Sequence, residues 1–489
     1  MDLRARGAWV AAVAAAAGTA LTLRVLVRGG GYGVVVPRLT WYLPLAVIGA
    51  VALLAALGFG GARITPVVWL GTVVMAAIAW NFLVFFFRMG FGAFSGVLMS
   101  LPPTRGVDFR DGLYLPGRAF SNAGSAWPPL TIWIGKAFGV FSLHTGYVLQ
   151  IVILVCLALS TAVFSARLAQ RMSVGDGLGS GASAGRELVF VMGLWMLTSF
   201  GFAFAVERGQ IDLYALAFAL LAVWLLLREP MSPWWPALAL AASVNLKVYP
   251  AVLAVLVLWR YRWKALVPLL VTNAALLLVA GPTNLQRFVA GQDALQGRGS
   301  GGWWGNMSAL STAEVLRSAG GAWATWFGYA LLALSAGVWG VTMIALLRRG
   351  WSPRRAVIAA AACVPVMCTV TPLSNDYKLV WTVLPLAVAA VLVAELWPRR
   401  HALWTVLFIA LAWETLFLAR SSFTVHPSLQ MSKFTLLLGL QFLLLALVAL
   451  GESRRAVDSS GPVARQQGGR DLEEGPAAAR QDTPTEAPT

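Results

Sequence analysis

PWWPALALAASVNLKVYPAVLAVLVLWRYRWK, residues 233–264, is apolar on either side of a lysine and a proline near its middle. A helix crosses the hydrocarbon core of a bilayer with about 20 residues. The run is therefore too short for two full crossings and too long for one. Lys247 and Pro250 sit at its centre, and a proline removes a backbone donor and breaks a helix interior. The pattern predicts two half-length helices meeting at Lys247. Broken backbone at membrane depth is tolerated only where it is buried in protein or lines a polar cavity.

The chain on either side is of the same character. Of 489 residues, 59% are hydrophobic and 12% charged, whereas a soluble domain is about a quarter charged. Mean hydropathy is +0.74. Apolar runs at 8–27, 41–60, 65–87, 145–167, 187–206, 211–228, 264–283, 323–347, 355–372, 379–396, 402–419 and 432–450 read as spans. With the half-helix pair, the fold class is an all-α polytopic membrane protein with about 12–14 transmembrane helices. The 22 tryptophans fit the enrichment of that residue at the two bilayer interfaces.

The chain then divides into transmembrane helices over 1–87, a long polar connection over 88–144 with short interfacial helices, a second bundle over 145–451, and a polar tail over 452–489. The tail is rich in Gly, Pro, Ala and Glu without apolar periodicity, and reads as disordered. The basic loops RLAQR (167–171), RYRWK (260–264), RRGWSPRR (348–355), PRR (398–400) and ESRR (452–455) alternate so as to share one side. By the positive-inside rule that side is cytoplasmic. Both termini then lie inside, and 88–144, 207–212, 284–322, 372–378 and 420–433 face outward. A connection as long as 88–144 in a compact protein is usually functional.

The net charge of +17 resides largely in arginines at loops and helix ends, and no nucleic-acid-binding motif accompanies it. Cys156, Cys363 and Cys368 lie in apolar runs, and His144, His401 and His426 lack metal-ligand spacing. No Walker loop or GxGxxG fingerprint is present. No cofactor is implied; a divalent cation shared by Asp108 and Asp111 has no clustered ligand set to argue for it.

The acids are few enough to enumerate. Seven of 20 lie in the tail; the outward connections hold Asp108, Asp111, Glu207, Asp212, Asp293, Glu314 and Asp376. A carboxylate base for chemistry at the outer face comes from this set. Local sequence alone favours helix capping for Asp108 and Asp111, three residues apart after a Pro-Pro-Thr-Arg-Gly turn. Five of the 37 basic residues are lysines. Lys247 in the broken helix and Lys378 at a helix start are costly places for charge; with Arg208 they suit a phosphate, the alternative being snorkelling to the interface. Trp303 and Trp304 suit stacking on a sugar ring or a place in the interface belt.

Four segments together resemble glycosyltransferase family 87, polyprenol-phosphate-sugar-dependent enzymes of the GT-C type that include mycobacterial α-1,2-mannosyltransferases and arabinofuranosyltransferases. They are GVDF (106–109) with WPPL (127–130), RGQIDLYALAFALLAVWLLLRE (208–229), NLKVYPAVLAVLVLWRYRW (245–263) and TPLSNDYKLVW (371–381). The resemblance implies a GT-C-like bundle in the plasma membrane. It implies transfer of a hexose, mannose favoured, or a pentose from a polyprenyl-phosphate donor to a glycolipid or glycan of the cell envelope. It makes Asp108 the catalytic base, with Lys247, Arg208 and Lys378 on the donor phosphate. Asp111, Glu207, Gln210, Tyr249, Asp376, Trp303 and Trp304 are candidate acceptor or sugar contacts. Trp127 stands where the family commonly has Tyr, and Tyr377 and Lys378 where mannosyltransferase members often have His. The competing class is a lipid or solute transporter, which would place its ionisable residues near the midplane in repeated halves; no internal repeat is present.

Overall fold

The structure, a computed structural model, describes residues 108–114, 127–172, 182–229, 231–297, 308–320, 323–371, 374, 376–396 and 427–459. Every regular element among them is helical. A π-helical turn, Asp108–Tyr114, comes first. It is followed by α1 (Thr131–Phe138), α2 (Leu143–Gln170), α3 (Ala182–Thr198), α4 (Phe200–Arg208), α5 (Asp212–Leu226), α6 (Trp234–Leu246), α7 (Ala254–Tyr261), α8 (Leu266–Ala280) and α9 (Pro282–Gly297). Then come α10 (Ala309–Gly320), α11 (Trp323–Leu347), α12 (Pro353–Val370), α13 (Val383–Leu396) and α14 (Pro427–Ser459). Short 3₁₀ segments join α6 to α7 (Tyr249–Leu253) and α7 to α8 (Arg262–Ala265), and lead into α13 (Asp376–Thr382).

Among the described residues, five stretches are long and apolar enough to cross a membrane: Leu143–Gln170, Tyr249–Val279, Thr325–Leu347, Pro353–Val370 and Lys378–Glu395. Asp212–Leu226 and Leu436–Gly451 are shorter apolar helices. The chain is an all-α polytopic membrane protein. The spans read at 8–27, 41–60, 65–87 and 402–419 lie outside the described residues. The chain divides into two units, Met1–Leu447 and Val448–Thr489; of the second, the described part is the last turns of α14.

The centre of the first unit is α12 and α13. Ala356, Ala359, Ala360, Ala361 and Ala362 of α12 are buried, as is every residue of α13 from Val383 to Val393. Small side chains let helix backbones approach closely, which supplies the dispersion contacts that lipid does not. Ser352 caps α12 by accepting from the Arg355 N–H at 3.2 Å, with Pro353 in the first turn, where its missing N–H costs nothing. Pro365 lies inside the helix. Polar contacts fasten this core: Ser335 Oγ of α11 lies 2.7 Å from Thr369 Oγ1 of α12 and accepts from Gln441 Nε2 of α14 at 3.0 Å. By contrast Val148, Val152 and Leu159 of α2 and Val267, Leu270 and Val271 of α8 are exposed; such a surface suits lipid and would be costly in water.

The break expected at Lys247 is present. α6 ends with Lys247 in extended backbone (φ −148°, ψ 129°), and Tyr249–Leu253 re-enters as a 3₁₀ turn before α7. Pro250 accounts for the end of α6, since it lacks the N–H that would bond the Leu246 carbonyl one turn earlier and its ring would clash there. Two readings are corrected. The span read as continuous over 187–206 is two helices, interrupted at Ser199, whose Oγ accepts from the Phe202 N–H at 3.3 Å and caps α4. The tail read as disordered from 452 is helical through Ser459, because Glu, Arg and Ala are strong helix formers whatever their polarity. Residues 460–489 lie outside the described residues.

Candidate active site

Two tight backbone features assemble the site. α4 ends at Gly209 in the left-handed region (φ 70°), a conformation that costs a side-chain-bearing residue about 1–2 kcal/mol. A Cβ at Gly209 would also lie 2.4 Å from Phe109 Cβ, so the glycine admits the π-helical turn against the α4–α5 corner. Gly135 of α1 does the same on the other side, where a Cβ would fall 2.0 Å from the Leu113 carbonyl oxygen. Phe109, fully buried, packs edge-on to Phe138 at 5.2 Å and tilted against Tyr147 at 5.7 Å between ring centroids. Asp108, the residue before that anchor, is thereby presented to the α4–α5 corner.

From Asp108 a chain of polar contacts runs across segments remote in sequence. Arg208 grips the carboxylate with both edges of its fork, Nε to Oδ2 at 2.8 Å and Nη2 to Oδ1 at 2.9 Å. Gln210 Nε2 donates to the same Oδ2, and Gln210 Oε1 accepts from Lys247 Nζ at 3.3 Å. Those two neighbours fix the amide orientation, since reversing it would oppose oxygen to carboxylate and NH₂ to ammonium. Lys247 Nζ also lies 3.1 Å from Asp212 Oδ2 and 4.3 Å from the Trp127 ring centroid. Tyr249 OH donates to Asp212 Oδ1. The Tyr249 ring packs edge-on to Trp381 at 5.3 Å and lies beneath Lys378 Nζ at 4.4 Å; Lys378 in turn donates to Thr371 Oγ1 at 3.0 Å. Around the corner, Gln150 Nε2 donates to the Gly209 carbonyl at 3.3 Å and Tyr214 OH to Gln150 Oε1 at 2.8 Å.

Asp108, Arg208, Gln210, Lys247, Tyr249 and Lys378 thus come together as one cluster. Asp108 is no mere cap: its carboxylate is engaged by Arg208 and Gln210. Arg208, assigned from sequence to a phosphate, has two of its nitrogens on Asp108. Asp111 lies in the π-helical turn, Glu207 in the last turn of α4 and Asp376 at the head of a 3₁₀ segment; only their backbone positions are described. Trp303 and Trp304 lie outside the described residues. Sequence reasoning counted Asp212 among the outward acids and placed Trp127 in the WPPL segment, but gave neither a contact in the site. The signal for Asp212 was its place two residues after Gln210, at the first turn of α5; for Trp127 it was the WPPL segment itself. Among the described residues no group of three His, Cys, Asp or Glu is placed to hold a metal ion.

The helical bundle thus links two carboxylates, an arginine and two lysines near the ends of its helices. Residues 126–372, just over half of the chain, match the sequence profile of glycosyltransferase family 87. The chain belongs to that family, and it is accordingly a membrane glycosyltransferase that joins a sugar donor to an acceptor; the transporter reading is not favoured. No curated protein matches the chain. The matched range holds Trp127, Arg208, Gln210, Asp212, Lys247 and Tyr249; Asp108 precedes it and Lys378 follows it.

Proposed function

We propose that the protein moves a hexose, with mannose favoured, or a pentose from a polyprenyl-phosphate donor to a cell-envelope glycolipid or glycan. The reaction takes place on the outer face of the plasma membrane, with both termini cytoplasmic. The observation that carries this reading is the chain of contacts from Asp108 through Gln210 to Lys247, which couples a carboxylate to an ammonium within a bundle of apolar helices.

Asp108 Oδ2 takes two donors and Oδ1 one, from Arg208 Nη2. Each carboxylate oxygen has two lone pairs, so Oδ1 retains one for an acceptor hydroxyl. In this reading the hydroxyl oxygen attacks the anomeric carbon and its proton passes to Asp108 Oδ1. The bond from the anomeric carbon to the phosphate oxygen breaks in the same displacement, with inversion, and polyprenyl phosphate leaves. Arg208 holds the carboxylate in register, a role its planar fork suits. Lys247 and Lys378 receive the phosphate and offset the charge it gains as the bond breaks. The reading calls for no cofactor.

The test is transfer in reconstituted membranes with labelled polyprenyl-phosphate mannose and polyprenyl-phosphate arabinose offered in parallel to envelope lipids. The reading predicts product from one donor, with the anomeric configuration inverted. Retained configuration, or product from a nucleotide sugar alone, would contradict it.

A further inference from the structure

Asp212 has a place in the site that the base and phosphate roles do not use. It is fully buried; Lys247 and Tyr249 contact its carboxylate directly, and the Lys378 ammonium lies within electrostatic reach of it. The approach of Lys247 Nζ to Oδ2, at 3.1 Å, is an ion-pair contact without hydrogen-bond alignment. The Tyr249 hydroxyl, by contrast, donates directly to Oδ1. Lys247 is therefore held to Asp212 by charge and to Gln210 Oε1 by a long hydrogen bond of 3.3 Å, with its ammonium over the Trp127 ring. A half-buried ammonium is favoured by a counter-ion, and Asp212 supplies it. A phosphate arriving at Lys247 brings a second anion to the same ammonium. Two anions sharing one cation repel, so the phosphate binds against Asp212. When the lysine turns toward the phosphate, the Tyr249 hydroxyl keeps Asp212 partly satisfied.

We propose that Asp212 is the resting counter-ion of Lys247 and competes with the lipid phosphate for it, limiting how tightly the donor is held and speeding release of the polyprenyl-phosphate product. This rests on the reading of Lys247 as the phosphate-binding group. Asp212 is on this account a positioning residue. A purely structural Asp212 makes the opposite prediction, since losing a support for Lys247 would weaken phosphate binding.

The experiment measures binding of undecaprenyl phosphate, and of undecaprenol as the phosphate-free control, to the full chain in lipid nanodiscs. Wild type, Asp212→Asn and Tyr249→Phe are compared. Asn keeps the size of Asp and removes its charge, so Asp212→Asn should lower Kd for undecaprenyl phosphate about tenfold, leaving undecaprenol unchanged. In turnover, kcat and KM for the donor should fall together, as when a bound state is over-stabilised. Tyr249→Phe removes the hydroxyl that shares Asp212, ties the carboxylate more closely to Lys247, and should raise Kd about threefold. An unchanged or raised Kd in Asp212→Asn, or an equal change for undecaprenol, overturns the proposal while leaving Lys247 as the phosphate ligand. Should Asp212→Asn fail to fold, Tyr249→Phe decides alone, and an unchanged or lowered Kd overturns it. Wild type that binds both lipids equally overturns the phosphate reading of Lys247 and this proposal with it.

Discussion

Charges gather at two places in the first unit, and they are used differently. In the Asp108 cluster, carboxylates meet side chains from other segments: Arg208 and Gln210, about a hundred residues on, at Asp108, and Lys247 and Tyr249, fewer than forty residues on, at Asp212. In the arginine cluster, guanidinium groups fasten helix ends. Arg354 binds Glu395 bidentately, at 2.8 and 2.5 Å, and donates to the Met172 carbonyl at 3.0 Å, tying α12, α13 and the end of α2. Arg260 donates to the Arg228 carbonyl at 3.0 Å and lies 5.2 Å from the Trp351 ring, while Arg355 donates to the Arg349 carbonyl at 2.6 Å. Terminal helix carbonyls have no partner within the helix and favour cations, so these arginines are structural closures. A lysine paired to a carboxylate by charge exchanges partners readily; an arginine locked on backbone carbonyls does not. What sets the proposed site apart is the lysine held by charge; the bidentate arginine–carboxylate pair is common to both clusters.

The largest effect expected from breaking the first cluster is that of Asp108→Asn, which keeps the Arg208 contact in part and removes the proposed base. Transfer should fall about 10³-fold, with thermal unfolding little changed. Lys247→Met, which retains the apolar stem, should lower kcat/KM about 10²-fold, read in the same assay. Gln210→Leu cuts the link between carboxylate and lysine and should cost about tenfold in kcat, since both groups survive and only their register is lost.

Substitution in the second cluster sharpens the contrast. Arg354→Leu leaves the largely buried Glu395 carboxylate without its fork and the Met172 carbonyl without a donor. It should destabilise the protein by about 2–3 kcal/mol, seen as a lower apparent Tm, while kcat of the folded fraction stays within about twofold. The smallest effect is reserved for EDTA, which should leave transfer unchanged.

Much of this was legible in the chain. The break at Lys247 followed from a lysine and a proline inside an apolar run, and the four segments that resemble glycosyltransferase family 87 are the ones that converge. The convergence itself was not legible, because it depends on Gly209 and Gly135 letting backbone approach Phe109 and Leu113, and no local pattern announces which helix end will face which. For the same reason Arg208 was visible as a cation but not as the partner of Asp108, and Asp212 was visible as an acid but not as a buried one. The interruption at Ser199 had a local signal, a serine able to cap, but it was outweighed by the apolar run around it. The helical start of the tail was obscured by polarity, which says where a segment sits and little about whether it is helical.

The most direct measurement is a structure of the protein with undecaprenyl phosphate bound, determined in nanodiscs by electron microscopy. The account predicts phosphate density about 3 Å from Lys247 Nζ, in the cluster that contains Asp108. Phosphate seated on Arg260 or Arg354, with the Asp108 cluster unchanged, would contradict it.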